Sequence, residues 1–188
     1  MANADSILAE WNNMAAPAAR EAVLPCNGSR AWAEGIVRLR PFAKSEDLFA
    51  ASDEVWEALR ASEWQQAFDS HPRLGEGHAP AASAQSLRWS EQEQSAAKDD
   101  EVLLDALAEA NRQYEAKFGR VFLLCAAGRT GVEILAILRR RMENSAAAEL
   151  LECARQQQRI TRLRLRIWLG MPAMTCAELD VKYRMEAA

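Results

Sequence analysis

Nowhere in this chain does a G-x-G-x-x-G or a G-x-x-x-x-G-K-[ST] loop occur, so the common turns that cradle nucleotide phosphates are absent. No G-x-S-x-G turn raises a serine nucleophile. The four cysteines, Cys26, Cys125, Cys153 and Cys176, form no C-x-x-C pair, which removes zinc ribbons and thioredoxin-like redox motifs. A disulfide framework is not expected either: the N-terminus carries an early acid, Asp5, and no apolar run of signal length, so a reducing cytoplasm is the simplest home. No stretch approaches the apolar length that spans a bilayer, and the last residues are not a Ser-Lys-Leu address. No membrane partner is expected. Basic charge is also short. Lys and Arg number 23 against 27 Asp and Glu, a net charge of -4, which argues against a nucleic-acid partner because phosphate contacts need a basic surface.

Glycine and proline are sparse, at 8 and 6 in 188 residues, and no alternating apolar pattern is sustained enough for a sheet. Alanine, leucine, glutamate and arginine fill the chain instead, and all favour helices. The expectation is an all-α fold, a single compact multi-helix domain over residues 1–188, with 171–188 as a peripheral tail. Helices are predicted over Ser6–Met14, after Pro17, and through Trp32, Ile36 and Leu39, the last following a turn over Pro25–Ser29 and stopped by Pro41. Ser45 reads as an N-cap with Glu46 and Asp47 in the favourable first turn. A short helix around Trp64 and Phe68 ends at a long loop from His71 to Arg88, and Ser90 with Glu93 reads as a capping box beyond it. Asp100–Phe118 is an amphipathic helix closed by Gly119. Val121–Ala126 is an apolar hexapeptide that reads equally as a strand or as buried chain. Thr130 and Glu133 form another capping box, and a last long helix runs over Ser145–Leu169 before Pro172.

The only two histidines, His71 and His78, share one loop. With Glu76 they give H-x(4)-E-x-H, which supports a rival reading as a metal-dependent hydrolase. The helical H-E-x-x-H spacing of zinc enzymes is absent, however, so no metal is expected. Pro72 stiffens the backbone at His71 and sets its imidazole up for acid–base work near neutral pH. Glu93 has a bland role as a cap and a sharper one as a ligand carboxylate, since a helix start also offers free amides to an anion. Arg159, Arg162, Arg164 and Arg166 alternate with apolar residues, so not all can reach water, and an inward arginine makes a carboxylate clamp. A third reading makes the chain a non-catalytic helical interaction module docking through Arg159 and Arg166. The tryptophans read as core.

Taken in order, these motifs resemble the 2-oxo-4-hydroxy-4-carboxy-5-ureidoimidazoline (OHCU) decarboxylase family. The residues that carry the likeness are Leu8, Trp11-Asn12, Cys26-Asn27-Gly28-Ser29 with Trp32, Arg40-Pro41-Phe42, Trp56 and Trp64, Ser70-His71-Pro72-Arg73-Leu74-Gly75, Ser90-Glu91-Gln92-Glu93-Gln94, Asn111, Tyr114, Lys117-Phe118-Gly119, Val121 through Ala126, Ile134-Leu135, Asn144, Glu149 and Ile160–Leu165. The chain departs from the pattern at Ala97-Lys98 and beyond Gly170. The resemblance implies a cofactor-free carboxy-lyase that turns a small ureide into (S)-allantoin during uric acid degradation, with a homodimer as its assembly. It implies His71 as acid–base residue, with Glu93 and Arg164 (or Arg162 in the other register) completing the catalytic set. Pro72, Ser90, Glu91, Gln92 and Gln94 would line the pocket, and Phe122, Leu123, Leu124, Cys125 and Ala126 would offer backbone contacts.

Overall fold

The computed structural model describes residues 4–73 and 101–186, and all regular structure within them is helical. We label the helices α1 (Ala4–Asn12), α2 (Ala16–Asn27), α3 (Arg30–Arg38), α4 (Ser45–Glu57), α5 (Ala61–Phe68), α6 (Glu101–Phe118), α7 (Gly131–Arg141), α8 (Ala146–Trp168) and α9 (Cys176–Glu186). Two compact units emerge, one of residues 1–67 and 160–173, the other of 68–159 and 174–188. No helix among the described residues is long and apolar enough to cross a membrane.

The first unit is built on tryptophan. Trp11 and Trp32 are fully buried, and Trp11 stacks on Phe42 and meets Trp168 edge-on with centroids 5.6 Å apart. Its backbone turns are locked by side chains. Asn12 both donates to Phe42 O (2.8 Å) and accepts from Phe42 N (3.1 Å), and Arg40 donates to Met14 O (3.0 Å). The Trp11-Asn12 and Arg40-Pro41-Phe42 motifs are therefore two halves of one clasp. Asn27 likewise donates to Thr161 Oγ1 (2.9 Å), and Ser29 caps α3 at Trp32 N.

Helix α1 lies two residues earlier than expected, α9 forms where a tail was expected, and two further borders differ for local reasons. Helix α2 runs through Pro25 to Asn27 and closes at Gly28, whose φ of 95° and N–H bond to Leu24 O form a left-handed cap. The turn thus starts three residues later than Pro25 suggests, because the buried Cys26 and Asn27 keep the last turn helical. Lys44, not Ser45, is the N-cap of α4, and the Ser45 hydroxyl donates to Glu46 instead.

In the second unit, α6 and α7 share a core of Leu107, Tyr114, Phe118, Phe122, Ile134 and Leu138. Gly119 ends α6 at φ 67°, and Thr130 with Glu133 makes the capping box that starts α7, both as expected. Residues 121–126 form no strand; they run as irregular chain, with Phe122–Ala126 each at most 5% exposed. The cysteines overturn an expectation. Cys125 and Cys176 are joined by a disulfide, while Cys26 and Cys153 are buried free thiols. The paired residues lie 51 apart in sequence, and only the return of the chain after Pro172 brings them together, so spacing alone carried no sign of the bond.

Candidate active site

His71 closes the turn after α5: its N–H donates to Phe68 O (3.1 Å), and it is 6% exposed. Ser70 and Pro72 beside it are buried. Two residues on, Arg73 grips Glu115 with both prongs of its guanidinium, Nε to Oε1 at 2.6 Å and Nη2 to Oε2 at 2.9 Å. A bidentate fork fixes direction as well as distance. The His71-Pro72 turn is therefore pinned to α6 by chemistry, not only by packing.

The neighbouring residue on α6 holds the other candidate segment. The Tyr114 ring meets the Phe122 ring edge-on at 5.1 Å and Phe118 at 4.8 Å. One turn of α6 thus carries the anchors of both the His71 turn and the Phe122–Ala126 segment. That segment is tied by two further side chains. Arg141 Nη1 donates to Leu123 O (2.7 Å), and Cys125 N donates to Gln156 Oε1 (2.9 Å), with Gln156 in turn donating to Glu152 (2.7 Å). Leu123 O and Cys125 N are thus engaged within the protein, which narrows the backbone contacts expected of this stretch. An opening of about 620 Å³ reaches Leu124, and Arg129, Arg140, Arg141 and Arg159 line it together with Glu133, Glu152 and Asp180, so its wall is mixed in charge.

Behind this wall lies a buried polar cluster of which the family likeness marked Tyr114, Asn144 and Glu149, while the inward roles of Arg141 and Cys153 were missed. Arg141 and Glu149 are 4% and 0% exposed and bond through Arg141 Nε and Glu149 Oε1 (2.8 Å). Asn144 donates to Glu149 Oε2 (2.7 Å), the Tyr114 hydroxyl donates to Oε1, and Cys153 Sγ lies 3.3 Å from both Tyr114 Oη and Arg141 Nη2. Burial works against the Arg141 charge, but its bond to Glu149 and the groups around it win and raise its pKa. Burial, with Cys153 and Glu149 alongside, pushes the Tyr114 phenol far up, so it acts as a neutral donor. The signal was there to find: Ile134, Leu138 and Arg141 follow i, i+4, i+7 spacing, as do Glu149, Cys153 and Gln156, so these polar residues sit on apolar stripes.

Arg164 belongs to the first unit and is fully buried. It lies within electrostatic reach of Cys26, whose thiol burial pushes up to about 12 against the opposing pull of that guanidinium. Arg162, the register alternative, is bonded to Asp53 of α4. Arg159 pairs with Asp180 (2.8 Å), and Arg166 is 6% exposed and donates to Pro172 O (3.3 Å). Of the two arginines of the docking reading, Arg159 is partly exposed and held by Asp180, and Arg166 is inside. Ser90, Glu91, Gln92, Glu93 and Gln94 lie outside the described residues, as do Glu76 and His78 of the metal reading. Among the described residues no group of His, Cys, Asp and Glu is arranged to hold a metal ion.

Comparison with known proteins gives a consistent set of likenesses. The family model described as OHCU decarboxylase matches residues 12–166. The uric acid degradation bifunctional protein TTL of Arabidopsis thaliana is 34% identical over 157 residues, which are 82% of this chain and 48% of that protein. The chain therefore spans about half the length of that relative. The 2-oxo-4-hydroxy-4-carboxy-5-ureidoimidazoline decarboxylase of Amia calva is 30% identical over 71% of this chain and 77% of its own length. A crystal structure of an OHCU decarboxylase in the presence of (S)-allantoin superposes with a TM-score of 0.68 at 31% identity, covering 78% of this chain and 96% of that one. A crystal structure of (S)-allantoin synthase shares the fold, with a TM-score of 0.66 at 16% identity over 86% of this chain and 53% of that one.

Proposed function

Because this chain belongs to the OHCU decarboxylase family, we propose that it is a carboxy-lyase of uric acid degradation, converting OHCU to (S)-allantoin without a cofactor. The name of the compound explains why none is needed. Its carboxyl and hydroxyl groups share ring carbon 4, next to the carbon that bears the ureido group. With a C=N bond at that neighbour, the electron pair released as CO2 leaves enters the ring. The 4-hydroxyl gives up its proton and becomes a carbonyl, while the ring nitrogen and carbon 5 each gain one. One proton is taken up per CO2 released, and the substrate is its own electron sink.

The observation that carries this reading is the buried His71-Pro72 turn, fixed on α6 by the Arg73–Glu115 fork. His71 takes the hydroxyl proton, with Glu93 as its partner across the substrate. The fully buried Arg164 supplies the positive charge that orients a carboxylate, and its burial supports it over Arg162, which is committed to Asp53. Pro72, Ser90, Glu91, Gln92 and Gln94 line the pocket, and the Phe122–Ala126 segment closes it.

Circular dichroism of product formed from freshly generated substrate tests both the activity and the roles. The protein is expected to give enantiopure allantoin faster than the spontaneous racemate appears. His71→Asn is expected to lower the rate roughly 10²–10⁴-fold with the helical fold retained. Near-normal turnover in that variant would remove His71 from the mechanism. A homodimer and a cytoplasmic setting complete the proposal. Light scattering on the purified chain tests the first. Thiol titration of protein trapped from cells tests the second: a reducing cytoplasm should hold Cys125 and Cys176 as thiols, and a Cys125–Cys176 bond found intact there would count against that setting.

A further inference from the structure

We infer that α9 is a clasp on the substrate-lining segment and that the Cys125–Cys176 bond is its redox-sensitive catch, with Thr175 and Cys176 as positioning residues. This rests on Phe122–Ala126 forming part of the decarboxylase site. The family match ends at residue 166, so α9 is an addition to the part of the chain that carries the family likeness.

Several ties converge on the few residues that follow Phe122. Cys176, the first residue of α9, is bonded to Cys125, and its N–H donates to Ala127 O (3.1 Å). Thr175 packs on Gly128 so closely that a β-carbon there would lie 2.6 Å from the threonine methyl carbon. Gly128 also has φ +81°, a conformation side chains disfavour, so glycine answers both demands at once. Farther along, Asp180 of α9 pairs with Arg159 of α8. Helix α9 fixes its own start by a capping box: Thr175 N donates to Glu178 (2.7 Å), and Glu178 N donates to Thr175 Oγ1 (3.2 Å). This cap sets the direction in which Cys176 leaves the helix start.

From α7 and α8 come the bonds of Arg141 to Leu123 O and of Gln156 to Cys125 N, which survive if the catch opens. Opening therefore loosens the segment without unfolding it. A dithiol would open the catch through a mixed disulfide. Two electrons and two protons pass from the dithiol to the protein sulfurs, the S–S bond breaks, two protein thiols form, and the dithiol closes to its own disulfide. Cys125 and Cys176 are both 1% exposed, so exchange waits for α9 to lift.

The test uses the full chain, oxidised, treated with dithiothreitol, and as Cys176→Ser. Thiols counted in denaturant should rise from two to four on reduction, since two of the four cysteines are free at the start. Reduction is expected to raise KM roughly tenfold, which corresponds to about 1.4 kcal/mol of substrate binding, with kcat little changed. Cys176→Ser should show the raised KM from the outset and no response to dithiothreitol. An unchanged KM in the reduced protein and in Cys176→Ser overturns the clasp; if the bond resists dithiothreitol, the variant alone decides. If no form of the protein decarboxylates, the functional reading falls and amide hydrogen exchange judges the clasp. Faster exchange over 122–128 in Cys176→Ser then supports it, and equal protection overturns it.

Discussion

Arg141 shows how one side chain can serve both the core and a segment of the candidate site. Its guanidinium is shared between the Glu149 carboxylate and the carbonyl of Leu123, and its centre lies 4.8 Å from the Phe122 ring centroid. Both charges of the pair are out of water, where a lone ion is far costlier than a matched one. Glu149→Gln should therefore cost about 3–5 kcal/mol in denaturant unfolding, because it strands a buried guanidinium. Adding Arg141→Met should recover much of that loss, since an apolar pair leaves no charge behind. A double-mutant cycle checks this, and two losses that simply add would show that the charges are not coupled. Arg141 was hard to read in the sequence because it ends the run Arg139-Arg140-Arg141, whose other two members are exposed. Only its place on the Ile134–Leu138 stripe marks it as inward.

Helix starts were legible where a side chain and a backbone amide answer each other within three residues. Thr130 and Glu133 gave α7 its border from sequence, and the same T-x-x-E pattern at Thr175 and Glu178 starts α9, where the chain read as a tail. Ser45 misled because a serine one place inside the helix can bond to Glu46 rather than cap. The irregular path of 121–126 was not legible, because its bonds come from Arg141 and Gln156, far along the chain. In the two capping boxes the threonine backbone and hydroxyl bonds hold Glu133 and Glu178 below the usual carboxylate range. A carboxylate with a lowered folded pKa adds stability above its unfolded pKa, and that stability is lost as pH falls through the folded value. Thr130→Ala should cost about 1 kcal/mol at pH 7 and progressively less in acid as Glu133 protonates. Thermal melts of both proteins from pH 7 to pH 3 measure the gap; a gap constant with pH would mean the hydroxyl acts without the carboxylate.

At the scale of the whole molecule, the His71-Pro72 turn and the helical class were readable because both rest on local chemistry. The division at residue 160 and the closure through Cys176 were not, since they depend on where distant segments return. Helix α8 bears directly on how the chain unfolds. It is one continuous run of 23 residues, of which Ala146–Arg159 falls in one unit and Ile160–Trp168 in the other. Neither unit keeps its own core if its part of α8 melts: Cys153 and Gln156 belong to the buried set of one, and Ile160, Leu163 and Leu165 to that of the other. Helix melting propagates along the backbone because each lost turn removes the hydrogen-bond partners of the next. We therefore expect a single cooperative transition in calorimetry, with the calorimetric and van't Hoff enthalpies equal. Cys176→Ser should lower its midpoint without splitting it, since α8 is untouched. Two resolved transitions in the oxidised protein would show that α8 breaks near Ile160 and that each unit folds on its own.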